Sequence, residues 1–213
     1  MFTGTFRQHA QVIAQQMKFL PQLDVGVVSL PEFFHALQHL LEVKEEDKAP
    51  KKTAADVTFE RLLNPEPHNW LMVNRDFTAQ RHSTLDQINK SNIKRLVPVW
   101  HFSLANNAGE HAQPTIYNGV MYVANADNTV AVDIETGKQL WRTPVEWDPA
   151  TPRVVCCGIS NKGPAIYNGK VFRGTLDAFV IALDQKTGKE IWRHKAAEWK
   201  EGYSMTVAPQ IAN

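Results

Sequence analysis

The sequence lacks a long apolar run. No stretch approaches the roughly 18 apolar residues of a membrane span, and residues 1–30 lack the apolar core of a secretory signal. It also lacks an excess of one charge, since 23 basic and 22 acidic side chains leave a formal charge of +1. Such a balance gives no long-range attraction to nucleic acid or to an anionic membrane. These absences predict a cytoplasmic chain with no polyanion partner and no nucleic acid.

Cysteine is almost absent, because the chain has only two, and they are adjacent in sequence as Cys156 and Cys157. Neighbouring Cα atoms lie about 3.8 Å apart, less than the roughly 4.4–6.8 Å of most disulfides, so a bridge would close a small, strained ring. The plain alternative is a pair of buried thiols. A bridge would also conflict with a cytoplasmic location, because disulfides persist mainly in oxidising compartments. The pair by itself leaves both states open.

The first fifty residues read differently from the rest. Apolar residues recur at helical intervals near 30–43, after capping-box spacing that begins at Ser29, and this pattern predicts an amphipathic helix. His35 and His39 lie one helical turn apart on it. They are either two ligands of a metal site with no third ligand in view or two solvent-facing imidazoles.

A charged, proline-interrupted run at 44–52 indicates a solvated linker. We therefore predict a helical extension and linker over residues 1–55. The second region, residues 56–213, carries every other motif described below.

A short helix is predicted ahead of the repeats. Asn89 can cap it, with Ile93 and Leu96 facing inward. Taken physically, this segment carries packing residues only.

An internal repeat is the strongest pattern in the chain. Residues 114–123 align with residues 164–173, and residues 131–141 align with residues 182–192. Each unit reads as four short strands. A period near 40–50 residues with four strands per unit is typical of propeller blades, so the sequence predicts an all-β fold.

Each unit contains two turn signals. The Asn-Gly pairs at 118–119 and 168–169 predict type I′ hairpins, which need positive φ at both central residues. The Asp-x-x-Thr-Gly motifs at 133–137 and 184–188 predict a second tight turn, with the aspartate closing it and the glycine in the left-handed region.

A tryptophan follows each of the second turns, at Trp141 and Trp192. Such a large apolar side chain is well suited to packing between neighbouring sheets. Trp100 lies where an earlier outer-strand tryptophan would be. Residues 97–104 alternate as a strand does, and we predict that they close a blade whose other strands come from elsewhere.

Together these motifs resemble the pyrroloquinoline-quinone (PQQ)-dependent alcohol dehydrogenases, the quinoprotein methanol and ethanol family, over about residues 56–213. The family's repeat, Ala-x-Asp-x-x-Thr-Gly-Lys-x-x-Trp, is matched at 131–141 and 182–192. Its N-terminal signature resembles residues 81–89. Its adjacent cysteines followed by Asn-Arg-Gly match Cys156 and Cys157 with Asn-Lys-Gly at 161–163.

The resemblance implies a partial eight-bladed β-propeller, about two blades plus a closing strand, with an N-terminal α-helical extension. It implies that PQQ binds on the propeller axis, between a disulfide of Cys156 with Cys157 and a tryptophan later in the family's chain. Such a flat ring would cover the quinone face without adding a hydrogen-bonding group.

The resemblance also implies cofactor roles for three further residues. Lys162 stands where the family has an arginine that contacts the quinone oxygens, and lysine keeps the charge but loses the planar fork. Thr206 matches a threonine that hydrogen-bonds a cofactor carboxylate, although a strand threonine would look the same. The position of the family's cofactor-contacting glutamate is occupied here by His111, and Glu110 lies one residue earlier. In a strand, a shift of one residue would turn the Glu110 side chain to the other face unless a bulge restored it.

By resemblance, the function is that of the N-terminal part of an oxidoreductase. The complete enzyme oxidises primary alcohols to aldehydes with PQQ and calcium in the periplasm, and passes electrons to a c-type cytochrome. The family's calcium ligands, catalytic aspartate and capping tryptophan lie further along than the third repeat that Pro209 begins. We therefore expect this fragment to be inactive alone and possible partners to include a chain carrying the remaining blades. A non-catalytic propeller scaffold is the alternative.

Overall fold

The protein is described from a computed structural model covering residues 56–106, 108–155 and 158–212. The predicted helix near 30–43, with His35 and His39, lies outside these residues, and the boundary at residue 55 stays a prediction. None of the helices in the described part has the length and apolar character to cross a membrane.

The structure confirms an all-β partial propeller, because eight strands form two four-stranded antiparallel sheets. In each sheet the strands pair in chain order, so each sheet is a simple meander. We call β1–β4 blade 1 and β5–β8 blade 2. The strands are β1 Thr115–Tyr117, β2 Val120–Ala124, β3 Asn128–Asp133, β4 Gln139–Pro144, β5 Ala165–Tyr167, β6 Lys170–Gly174, β7 Phe179–Asp184 and β8 Glu190–Lys195.

Helical structure in the described residues is limited to short pieces. Helix α1 spans Phe59–Leu63, and the Thr58 hydroxyl caps it by accepting from the Arg61 amide. Three single 3₁₀ turns cover Ile93–Arg95, Thr151–Arg153 and Trp199–Glu201.

Both Asn-Gly pairs form the predicted hairpins. Asn118 and Gly119 have φ of 49° and 75°, and Asn168 and Gly169 have φ of 45° and 69°. Positive φ at both central residues is the type I′ geometry, which matches the twist of the flanking strands.

Both Asp-x-x-Thr-Gly turns are also as predicted. In blade 2, Asp184 Oδ1 accepts from the Thr187 amide at 2.8 Å and from the Thr187 hydroxyl at 2.8 Å. Gly188 has φ of 71° and donates its amide to the Asp184 carbonyl at 2.8 Å. Thr187 holds the pKa of Asp184 below its usual value through these hydrogen bonds.

Tryptophans join successive units at these turns. The Trp141 indole N–H donates to the Gln185 carbonyl of blade 2 at 3.1 Å. In the same way, the Trp100 indole N–H donates to the Ile134 carbonyl of blade 1 at 2.9 Å. The confirmed docking of Trp100 and Trp141 fixes one blade against the next, with the main apolar core between the sheets.

The segment ahead of blade 1 differs from its prediction. The helix is one 3₁₀ turn whose N-cap is Asn92 with no side-chain capping bond, so the predicted cap at Asn89 is wrong, and Ile93 and Leu96 are exposed rather than inward. Residues 97–104 form no strand within the described part of the chain, because their backbone has no ladder partner there. From Val99 to Leu104 the side chains nevertheless alternate between exposed and packed positions, as the sequence predicts.

The inward side chains of this segment are Trp100, Phe102 and Leu104, which pack on blade 1, whereas Val97 and Val99 are exposed. An edge of blade 1 is extended by a single bridge of Trp70 to Ile116 in β1.

Candidate functional site

Three chain segments that precede or follow the blades lie side by side. The Gln113 amide donates to the Lys162 carbonyl at 3.1 Å, and the Lys162 amide donates to the Thr206 carbonyl at 2.9 Å. Residues 108–114 lead into β1 and residues 158–164 lead into β5. The structure therefore brings Lys162 and Thr206 together through their backbones, although they are far apart in sequence.

The first and third residues of the Asn-Lys-Gly motif, Asn161 and Gly163, have structural roles. The buried Asn161 side chain accepts from the Gly163 amide at 2.9 Å and donates to the Gly174 carbonyl at 3.0 Å. Gly163 has φ of 124°, and a Cβ there would overlap the Gln113 carbonyl oxygen. Asn161 and Gly163 thus shape the loop that presents the residue between them.

Lys162 is exposed at the surface of this loop. Its ammonium group forms no ion pair with any side chain of residues 56–106, 108–155 or 158–212. Because no carboxylate of the described residues pairs with it, the Lys162 ammonium is available to an anionic ligand.

Thr206 lies in an irregular segment, within none of the strands that the structure describes, and it is half-buried. Nearby, the Met205 amide donates to the Thr175 carbonyl of blade 2 at 3.1 Å. The Ser204 Oγ is buried and has no hydrogen-bond partner among the described residues. A buried hydroxyl in that state indicates a place where a polar ligand or water would bind.

Glu110 is held by two asparagines. Its Oε1 accepts from Asn106 Nδ2 at 2.7 Å and from Asn125 Nδ2 at 2.9 Å. Glu110 precedes β1 and lies outside any strand, so the expected reversal of face in a strand does not apply to it. The neighbouring His111 is exposed.

Sequence reasoning missed Arg173 in β6. Its side chain is only 1% exposed, and it donates to three backbone carbonyls, those of Ala126, Asn128 and Gly174. Burial lowers the pKa of the Arg173 guanidinium to about 10. The available signal was strand parity, since Arg173 lies two residues after the buried Val171.

Cys156 and Cys157 lie outside the described residues, so their pairing stays a prediction. Before them, the Val155 amide donates to the Thr151 carbonyl at 3.0 Å, and after them Gly158 has φ of 73°. These flanking residues connect the end of blade 1 to the loop of Lys162.

Metal ligands do not cluster in the part of the chain that the structure describes. No three His, Cys, Asp or Glu side chains among those residues are arranged to hold a metal ion.

Comparison with known proteins identifies the family. The model of the "PQQ: Glucose/ethanol/alcohol dehydrogenase, beta-propeller domain" family matches residues 70–191. The chain belongs to this family. The matched PQQ β-propeller region contains blade 1, the loop of Lys162, both Asp-x-x-Thr-Gly turns and blade 2 up to the start of β8.

Curated relatives of this PQQ β-propeller chain are quinone-linked alcohol dehydrogenases. It is 41% identical to 1-butanol dehydrogenase (quinone) of Thauera butanivorans, over 76% of this chain and 26% of that one. It is 46% identical to quinoprotein alcohol dehydrogenase PedH of Pseudomonas putida, over 63% of this chain and 23% of that one. The chain therefore spans about a quarter of the length of these relatives.

A solved structure shares the fold. A europium-containing methanol dehydrogenase superimposes with a TM-score of 0.67 at 34% identity, over 71% of this chain and 27% of that one. The two four-stranded sheets described here are thus part of a PQQ β-propeller.

Proposed function

We propose that this chain supplies two blades and part of the quinone site of a PQQ-dependent alcohol dehydrogenase that oxidises primary alcohols to aldehydes. The observation that carries the proposal is the backbone linkage of Gln113, Lys162 and Thr206. It gathers residues from three separate segments into one place, in a chain of this family.

The residues present fit a polyanionic quinone. PQQ offers carboxylate and quinone oxygens, all of which accept hydrogen bonds. Lys162 and Thr206 are donors, and the Ser204 hydroxyl is buried without a partner in the described part of the chain. A site of this chemistry favours an anionic acceptor over a cation.

Each residue has a definable task in this proposal. The Lys162 ammonium would attract the quinone oxygens without the two-point fork of an arginine. The Thr206 hydroxyl would donate to a cofactor carboxylate. Glu110, fixed by Asn106 and Asn125, would orient a donor group at the edge of the site.

Cys156 and Cys157 are proposed to form a vicinal disulfide that covers one face of the quinone and excludes water from it. When bound, PQQ supplies the acceptor for the electrons of the alcohol, while the protein supplies orientation and charge. Intact-mass measurement before and after reduction tests the bridge directly. Two free thiols in protein purified under oxidising conditions would contradict it.

The remaining components are proposed to come from outside these residues. They are the calcium ligands, the catalytic aspartate, the blades that complete the propeller and a c-type cytochrome that accepts electrons. We propose a periplasmic location for the working enzyme, because the proposed disulfide would persist in that oxidising compartment. The chain alone should therefore show no dye-linked alcohol oxidation, and robust turnover would overturn this division of parts.

Quinone binding tests the proposal most directly. We expect the purified chain to bind PQQ, measured by equilibrium dialysis, and Lys162→Met to weaken binding about 10-fold, which corresponds to about 1.4 kcal/mol. Lys162→Arg should bind at least as well as lysine. Lys138→Met, in the turn between β3 and β4 of blade 1, is the matched control and should leave binding unchanged.

Two results would contradict the proposal. One is a folded chain that binds no PQQ, which would favour a non-catalytic propeller scaffold. The other is equal loss of affinity in Lys162→Met and Lys138→Met, which would show a general charge effect rather than a site.

A further inference from the structure

We infer that Arg173 is a positioning residue that couples the Lys162 side of the quinone site to the Glu110 side. The inference rests on the proposed function for its meaning, but the coupling itself is a property of this chain. Arg173 forms no hydrogen bond with Lys162 or with Glu110. Its effect on them passes through the side chains of two asparagines, Asn161 and Asn125.

The contacts of Arg173 span the two blades. From β6 of blade 2, its Nη1 donates to the Asn128 carbonyl at 3.0 Å and its Nη2 donates to the Ala126 carbonyl at 3.3 Å. The Ala126 carbonyl lies in the turn between β2 and β3 of blade 1, and the Asn128 carbonyl lies at the start of β3. A third bond, at 3.2 Å, joins Nη1 to the Thr129 hydroxyl. This one side chain therefore fixes the β2–β3 connection of blade 1 against blade 2.

On the Lys162 side, the link passes through one carbonyl. Arg173 Nε donates to the Gly174 carbonyl at 3.1 Å, and Asn161 Nδ2 donates to the same oxygen at 3.0 Å. The other end of the Asn161 amide accepts from the Gly163 amide. Displacement of the Gly174 carbonyl would therefore move the loop that carries Lys162.

On the Glu110 side, the link passes through the turn that Arg173 holds. Asn125 Oδ1 accepts from the Asp127 amide at 3.0 Å and from the Asn128 amide at 2.7 Å. Its Nδ2 donates to Glu110. The Asn125 side chain is thus oriented by the same turn whose carbonyls bind Arg173.

The role requires an arginine rather than any cation. The guanidinium is almost fully buried and forms no ion pair with a described carboxylate, so carbonyl oxygens bind it directly while the Asp127 carboxylate stabilises its charge from a longer distance. Five N–H groups in a fixed planar fork can reach acceptors on both blades at once, and a lysine ammonium cannot. Arg173→Lys therefore removes the coupling while keeping the charge.

Amide exchange of the full chain, followed by NMR without cofactor, tests the inference. In Arg173→Lys we expect exchange of the Gly163 amide to accelerate at least 10-fold and the side-chain amide signals of Asn125 to shift. Amides in the centre of β3 and β7 should keep their protection. The control is Arg61→Lys, since Arg61 also joins separate segments, through the Asp56 carbonyl and the Tyr117 hydroxyl, and neither acceptor belongs to the Asn125 turn or to the Lys162 loop.

The inference is overturned if Gly163 and Asn125 are unchanged in Arg173→Lys. It is also overturned if protection falls evenly across both sheets, because Arg173 would then be a general stabilising residue. Arg173→Met provides a second variant without the charge and should show the same local pattern.

Cofactor binding is measured separately on the same proteins. Arg173→Lys should weaken PQQ binding about 10-fold relative to Arg61→Lys. If the wild-type chain binds no PQQ, the proposed function fails while the exchange data still decide the coupling. If the wild type binds and Arg173→Lys binds equally well, the positioning role fails and the proposed function stands.

Discussion

The indole ring of Trp141 lies directly against Gly188, so that blade 1 and blade 2 meet with no room for a side chain between them. A Cβ at Gly188 would lie 2.6 Å from Cδ2 of Trp141 and 2.7 Å from the Thr143 hydroxyl oxygen. Gly137 lies against Trp100 in the same way, because a Cβ at Gly137 would lie 2.7 Å from Cδ2 of Trp100. The glycine of each Asp-x-x-Thr-Gly turn thus has two roles. It adopts the positive φ of the turn, and it leaves room for the tryptophan of the preceding unit.

Gly188→Ala should therefore destabilise the protein through two effects. Positive φ costs an alanine about 1–2 kcal/mol, and overpacking at the indole adds about 1–3 kcal/mol. Gly202→Ala is the matched control, since Gly202 also has positive φ, 91°, but no atom of the described residues beyond its chain neighbours would lie within 4 Å of a Cβ there. Urea unfolding should show the larger loss for Gly188→Ala, and equal losses would contradict the steric joint.

The two repeat tryptophans should respond differently to substitution. Trp141 is 8% exposed and donates to Gln185, whereas Trp192 is 41% exposed and lies 6.0 Å from the Phe172 ring. We expect Trp141→Phe to lower the free energy of unfolding by about 1–3 kcal/mol, and Trp192→Phe to change it by about 0.5 kcal/mol or less. Chemical denaturation followed by far-ultraviolet circular dichroism measures both. A larger loss of unfolding free energy in Trp192→Phe than in Trp141→Phe would contradict the stabilising role of the docked Trp141.

The features that could be predicted from sequence are those set by a few adjacent residues. The Asn-Gly hairpins follow from the φ that each turn needs, and the second turns follow from an aspartate that accepts amides within its own loop. Trp100 was placed correctly because the same turn and tryptophan recur in register. Local chemistry repeated at a fixed period therefore gave the blades.

The features that could not be predicted depend on distant surfaces. Ile93 and Leu96 have the spacing of buried residues, but no surface of the described chain covers them. Residues 97–104 alternate correctly, yet a strand also requires a paired neighbour. Arg173 was missed because a charged residue is normally assigned to the solvent, and its acceptors, at Ala126 and Asn128, come from the other blade.

Acid should weaken the turn of blade 2 in a defined direction. The pKa of Asp184 is lowered in the folded protein, chiefly by hydrogen bonds from Thr187, so the ionised carboxylate stabilises the fold above its unfolded pKa. That contribution is lost as pH falls through the lowered pKa. The stability difference between wild type and Asp184→Asn should be largest near neutral pH and shrink on acidification.

Thr187 supplies the control for this pH effect. Thr187→Val removes the hydroxyl donor and should raise the pKa of Asp184 toward its usual value, whereas Thr187→Ser keeps the donor and should not. Carbon-detected NMR titration of the Asp184 carboxyl measures the change directly. Equal titration in both variants would show that the hydroxyl does not set the pKa.

Gly163 offers the sharpest separation between folding and the proposed site. Its φ of 124° and the overlap of any Cβ with the Gln113 carbonyl oxygen mean that Gly163→Ala must move one of the two segments. We expect faster exchange of the Gln113 amide, since its bond to the Lys162 carbonyl would break, together with at least 10-fold weaker PQQ binding.

Gly158→Ala is the natural comparison, because Gly158 lies in the same loop with positive φ, but a Cβ there would have no atom of the described residues within 4 Å apart from its chain neighbours. It should show only the backbone strain, about 1–2 kcal/mol, and keep the protection of Gln113. Retained protection of Gln113 in Gly163→Ala would mean that the loop accommodates a side chain, and the contact between the two segments would then not be what holds Lys162 in place.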